Sequence, residues 1–190
     1  HSGTAVEKIY LLEDSDQDAF DQLMARLTAS GQTAGLAVAA YAEQAPAPLP
    51  DAATLESFRT AWAGMTDVHQ LFGILKKHAL DRKPALEVIG EGWARPVGIG
   101  AMRQVLEAAS ESQTDIMVFV GNRGMIQIHS GPVHQLKTVG PWFNVLDPDF
   151  NLHAREDHVA ECWAVRKPTR DGFVTSLEVF DAEGRIIVQM

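Results

Sequence analysis

Residues 115–131 read DIMVFVGNRGMIQIHSG, and the fold of the chain turns on how this stretch is read. Two runs of β-branched, aromatic and long apolar residues flank GNRG, a glycine-bounded turn, so the segment is a β-hairpin. From Ile116 onward the apolar period is two. The runs WFNVLD, FNLHARE, AECWAVRKP, FVTSLEVFD and GRIIVQM continue it, joined by turns such as TRDG and AEG. Together they predict an antiparallel meander of about seven strands. Upstream the period changes. TLESFRTAWAGM, TDVHQLFGILKKHAL, KPALEVIGEG and GIGAMRQVLEAAS read as four helices separated by Gly, Pro, Asp and Thr signals. Helices followed by strands predict an α+β fold with the helices packed on one face of a large antiparallel sheet.

The first 30 residues form a separate unit. GTAVEKIY reads as a strand, EDSD as an acidic cap, and the helix that follows carries Phe20, Leu23, Met24 and Leu27 on one face. Residues 31–52 are rich in small residues and end in alternating Ala-Pro, the composition of a linker. The main domain is then expected over 53–190. GTAVEKIY also resembles the final GRIIVQM, each a glycine turn followed by an alternating apolar strand. Either two hairpin strands are alike by chance, or residues 1–30 are the tail of a preceding repeat and the second repeat lacks its own.

A chain of 190 residues with 46% hydrophobic content buries a real core. Its net charge of −9 disfavours nucleic acid as a general partner. No apolar run reaches the roughly 20 residues of a membrane span, and no signal-peptide pattern opens the chain, so a cytoplasmic location is expected. The single cysteine, Cys162, sits in the strand-like AECWAV, where a buried apolar role is expected.

Among the chemical candidates His69 is the sharpest. With Thr66 or Asp67 as cap, it falls in the first turn of its helix, where the positive end of the dipole favours neutral imidazole, the form a metal requires. Gly73, four residues on, leaves a gap on the same face that a flat ligand can use, with Met65 and Phe72 as apolar walls. HSGPVH and HAREDH lack zinc-motif spacing, and His153 in the second is held in reserve as a ligand. Arg82 follows the His69 helix, and Lys167 shares a strand alternation with Trp163 and Val165. Each is either a surface charge or a counter-charge for a carboxylate; with His69 they would serve a porphyrin with two propionates.

WAGMTDVHQLFGILKKHAL, IMVFVGNRGMIQIHSGPV, NLHARE and RKPTRDGFVTSLEVFDAEGRIIVQ, taken together, resemble the carboxyl-terminal repeat of the bacterial haem-utilisation proteins of the HemS/HmuS/ChuS/PhuS type, from about Leu55 to Met190. The resemblance implies a cytoplasmic protein of two similar halves that receives imported haem and passes it to a degrading enzyme; some members are reported to degrade haem themselves. It implies His69 as axial ligand of the iron in a reversibly bound b-type haem. Arg82, Lys167 and the last-strand Gln189 would line the pocket, and His153 would match a second ligand. It also implies departures: most of the first repeat is missing, and with it an arginine on the opposite side of the haem, as are the residues after the last strand. No dinucleotide or flavin fingerprint is present, so a degrading reaction would draw electrons from outside. The expectations are therefore a haem carrier, then a haem-degrading enzyme, then an interaction domain working through its sheet. A haem oxygenase is the expected acceptor, and a homodimer is expected through the edge strand GTAVEKIY.

Overall fold

The computed structural model describes residues 8–31, 35, 39 and 48–190. Most of GTAVEKIY and most of the 31–52 linker lie outside the described residues, and so do the expectations placed on them. Two compact units are present, and each is described by itself.

The smaller unit contains α1 (Gln17–Leu27), capped by Asp16, whose carboxylate accepts from Ala19 N at 2.8 Å. The expected apolar stripe is there, yet no residue of α1 is buried, and Leu23, Met24 and Leu27 are exposed. The same unit takes in the tip of the hairpin, Asn122–Met125, where Asn122 Oδ1 accepts from the backbone N–H of Gly124 and of Met125.

In the larger unit a six-stranded antiparallel sheet is the organising element. Its strands are β1 (Ala94–Val97), β2 (Ile116–Gly121), β3 (Ile126–Gly131), β7 (Glu161–Thr169), β8 (Gly172–Phe180) and β9 (Ile186–Gln189), in the order β1-β7-β8-β9-β2-β3. A second sheet of three strands holds β4 (Leu136–Val139), β5 (Trp142–Leu146) and β6 (Asn151–Arg155). The α+β class is as expected, but the meander is broken: the chain leaves the first sheet after β3, builds the second, and returns so that β9 pairs with β2. Two strands went unread, β1 and β4, each only four residues long. β1 carries Pro96, tolerated there because, among the described residues, β1 is an edge strand paired with β7 alone.

Alternation along β7 sends side chains into two cores. Trp163 and Val165 face one, with Phe58 and Trp62 of α2 (Ala52–Ala63), Leu71 and Leu75 of α3 (Gln70–Lys77), and Leu86 and Ile89 of α4 (Arg82–Ile89). The i, i+4 spacing of Phe58 and Trp62, and of Leu71 and Leu75, places each pair on the buried side of its helix. Trp62 also donates from Nε1 to the carbonyl of Arg166 at 3.1 Å, tying α2 to β7. Cys162 faces the opposite core, with Val118, Val179, Val188, the inner residues of the second sheet, and Met102, Leu106 and Ala109 of α5 (Ala101–Ser112). Three helices therefore share one face, while α5 lies on the other with the second sheet. Period alone could not assign α5 to a face, because an amphipathic helix packs equally well on either. Burial raises the Cys162 thiol above the usual cysteine range, in keeping with the inert role expected.

Candidate functional site

Register places one row of side chains across the helical face of the large sheet. Pro96 pairs with Trp163, Trp163 with Glu178, Glu178 with Gln189, Gln189 with Phe119, and Phe119 with Ile128. Helices α2, α3 and α4 cover the β7–β8 part of this face. The part carried by β2 and β3 presents exposed Met117, Ile126 and Ile128 around a half-buried Phe119. Glu178 and Gln189 stand where the covered half meets the open one.

Three of the expected site residues meet at this border. Arg82, the first residue of α4, donates from Nε and Nη2 to the two Glu178 oxygens at 2.8 and 2.6 Å, and from Nη2 to Gln189 Oε1 at 2.9 Å. Lys167 shares the inward alternation of Trp163 and Val165; its Nζ donates to Ser176 Oγ at 2.8 Å and lies 2.9 Å from Glu178 Oε1. Glu178 is fully buried and Lys167 nearly so, whereas the Arg82 side chain is 31% exposed. Glu178 was not singled out from the sequence. Its signal is an acidic residue at an inward position of the central strand β8, opposite Trp163 on the neighbouring strand.

Burial pushes the Glu178 carboxyl up, but the hydrogen bonds and charges of Arg82 and Lys167 outweigh it and hold it below the usual glutamate range. Burial likewise lowers Lys167 from the usual lysine range, with the Glu178 charge opposing and the Arg82 charge adding to it. Pairing and hydrogen bonding are what allow such buried ions to persist.

His69 stands just before α3 rather than inside its first turn, and it is 90% exposed at the side chain. Asp67 Oδ1 accepts from His69 N at 2.8 Å and lies 2.7 Å from His69 Nδ1. A carboxylate only accepts, so Nδ1 carries a proton and Nε2 is the atom left for a ligand. These bonds hold the Asp67 carboxyl below its ordinary range. The carbonyl of Thr66 accepts from Arg170 N at 3.1 Å, fastening the His69 loop to the β7–β8 turn, three residues beyond Lys167. A Cβ added at Gly73 would meet nothing within 4 Å, so the expected gap exists. The expected walls divide: Phe72 is exposed, but Met65 turns into the helical core and cannot line the gap.

His153 lies apart from this group, on β6 of the second sheet. Leu152 and Ala154 on either side of it enter the core, so His153 faces outward, its Nδ1 2.8 Å from Asn144 Oδ1. It lines an open groove of about 460 Å³ with Val139, Trp142, Asn144 and Leu146.

The residues present suit a flat, amphiphilic, anionic ligand with a metal at its centre: an imidazole with one committed nitrogen, a gap on its helix, an open apolar sheet face and a cationic border. Residues 79–190 match the Haemin-degrading HemS.ChuX domain, and the chain belongs to that family. It is 39% identical over its whole length to the hemin transport protein HmuS of Yersinia pestis and, likewise, to the hemin transport protein HemS of Yersinia enterocolitica. The chain spans 54% of the length of these curated relatives, about half. Among solved structures, the holo form of PhuS, a heme-binding protein from Pseudomonas aeruginosa, is 46% identical, with a TM-score of 0.83 over 94% of this chain and 52% of that one. ChuS, described as an E. coli heme oxygenase, is 38% identical with a TM-score of 0.80 over 95% of this chain and 52% of its own. The heme-binding protein ChuX, 12% identical with a TM-score of 0.56, shares the fold.

Proposed function

We propose that the protein binds b-type haem reversibly and hands it on within bacterial haem-iron utilisation, in the cytoplasm. The observation that carries this reading is the cationic cluster at the edge of an open apolar sheet face. A porphyrin is apolar across its rings and anionic at its two propionates, and such a border offers a matching surface to each. His69 Nε2 would supply the axial ligand, while Arg82, Lys167 and Gln189 form the group that answers the propionates. His153 would act separately, as a second ligand on the other sheet. Bound haem would bring an iron able to exchange ligands and electrons, and the chain's own residues would orient it and set its charge balance. Among the described residues no helix is long and apolar enough to cross a membrane.

The relatives support both transport and degradation: two are called hemin transport proteins, and ChuS a heme oxygenase. Transport is the reading adopted, with a haem oxygenase as acceptor. Degradation is distinguished by product formation when a reductant is supplied. The proposal extends to a homodimer, for which β3, the terminal strand of the large sheet among the described residues, offers an edge; a clean monomer in sedimentation at micromolar concentration would remove that part.

The primary test is an absorption titration with haemin. The unaltered chain should give a saturable Soret band, and His69→Ala should lose most of it. If His69→Ala kept both spectrum and affinity while His153→Ala abolished them, the axial assignment would be wrong.

A further inference from the structure

His69 is offered to a ligand with little around it. Its side chain is 90% exposed, and its recorded hydrogen bonds run to Asp67, itself 60% exposed. A side chain without packing takes its direction from the backbone that carries it, so the aim of Nε2 depends on how residues 66–70 are held. Burial pins both ends of this segment, since Met65 and Leu71 enter the helical core. Between them Gln70 folds back over the loop. Its Oε1 accepts from Thr66 N at 2.9 Å and from Asp67 N at 3.3 Å, and its Nε2 donates to Thr66 Oγ1 at 3.3 Å. One side-chain amide thus closes the turn from which His69 projects. A second tether joins this turn to the large sheet. The carbonyl of Thr66 accepts from Arg170 N, between β7 and β8, and the carbonyl of Arg166 accepts from Trp62 Nε1. The chain leaving α2 is therefore tied to β7 and its turn at two points, four residues apart on each side.

We propose that Gln70 and the backbone N–H of Arg170 are positioning groups for the axial ligand: Gln70 makes residues 66–70 one turn, and the Arg170 N–H fixes that turn to the sheet, so that His69 is ordered before the iron arrives. A group held in its bound geometry in advance costs less to order on binding. Both act through His69 and not on the haem. This rests on the haem reading above, with His69 axial.

The experiment titrates haemin into Gln70→Ala, and into Arg170→Pro beside Arg170→Ala. The last two variants lack the same guanidinium and differ in the N–H. Arg170 is the first of two residues between β7 and β8 and its φ is not positive, so proline suits the position. Haem should bind about tenfold more weakly to Gln70→Ala than to the unaltered chain, and about tenfold more weakly to Arg170→Pro than to Arg170→Ala. Each titration is repeated in a His69→Gly background with free imidazole supplied as the ligand, which owes nothing to the loop. There both differences should vanish, a result that general damage to the fold would not give. Undiminished affinity in Gln70→Ala, or equal affinity in Arg170→Pro and Arg170→Ala, would overturn the inference, and so would losses that persist with free imidazole. Should Arg170→Pro not fold, Gln70→Ala decides alone by the same two readings. An unaltered chain without a saturable Soret band, or His69→Ala with full affinity, would instead sink the haem reading or its axial assignment, and this inference with it.

Discussion

Asp67 shows how one side chain prepares another. Its carboxylate accepts from both the backbone N–H and Nδ1 of His69, so it holds the turn before α3 and selects the imidazole tautomer at once. Partners of this kind raise the basicity of a metal-bound histidine and typically contribute about 10–100-fold to metal affinity. Both side chains are well exposed here, which argues for the lower end. Asp67→Ala should therefore weaken haem binding about tenfold and raise the reduction potential of the bound iron, because a less basic imidazole supports the ferric state less. Asp67→Asn, still able to accept from Nδ1, should fall between. Spectroelectrochemical titration reads the potential directly. An unchanged potential in Asp67→Ala would show that the Asp67–His69 pair serves only the turn before α3.

Helix α3 carries the clearest trade between stability and ligand space. Glycine inside a helix costs about 1 kcal/mol relative to alanine, and nothing lies within 4 Å of a Cβ built at Gly73. Gly73→Ala should stabilise the unliganded protein by roughly 0.5–1 kcal/mol, seen as a higher urea midpoint. Gly73→Leu should keep some of that gain and lose haem affinity if the ligand uses the gap; full affinity in Gly73→Leu would place the haem elsewhere. The gap was legible because a glycine within an otherwise regular helical pattern asks for a reason. Other features were not. Met65 looked like a wall because helical spacing gives direction around an axis but not which neighbours close over it, and it packs in the helical core. Strands β1 and β4 are too short for a two-residue period to register, and the assembly of the large sheet depends on β9 pairing with β2, a long-range choice that local pattern does not carry. Arg82, Lys167 and Gln189 are named by family likeness, but Glu178, the residue joining them, is legible only once strand register sets it inward opposite Trp163.

For the molecule as a whole, the buried charges tie fold stability to pH, and the direction follows from the two shifts. Glu178 holds its proton more weakly in the folded protein than in the unfolded chain. Its contribution is therefore fully present above the usual glutamate value and is lost as pH falls through the lower, folded value. Lys167 also holds its proton more weakly when folded, because of burial. In the alkaline window between its lowered value and the usual lysine value the unfolded chain binds more protons, so this group makes stability rise with pH there. Above the usual glutamate value the Glu178 term is fully present and no longer varies with pH. Urea midpoints measured from pH 7 down to pH 3 should fall in the unaltered protein. Glu178→Gln/Lys167→Met has no ionisable group at either position, so its acid fall should be shallower even if its midpoint at pH 7 is similar, as is common when a buried ion pair is replaced by neutral residues. Parallel acid limbs in the two proteins would mean that the exposed carboxylates, and not the buried centre beneath Arg82, govern acid unfolding.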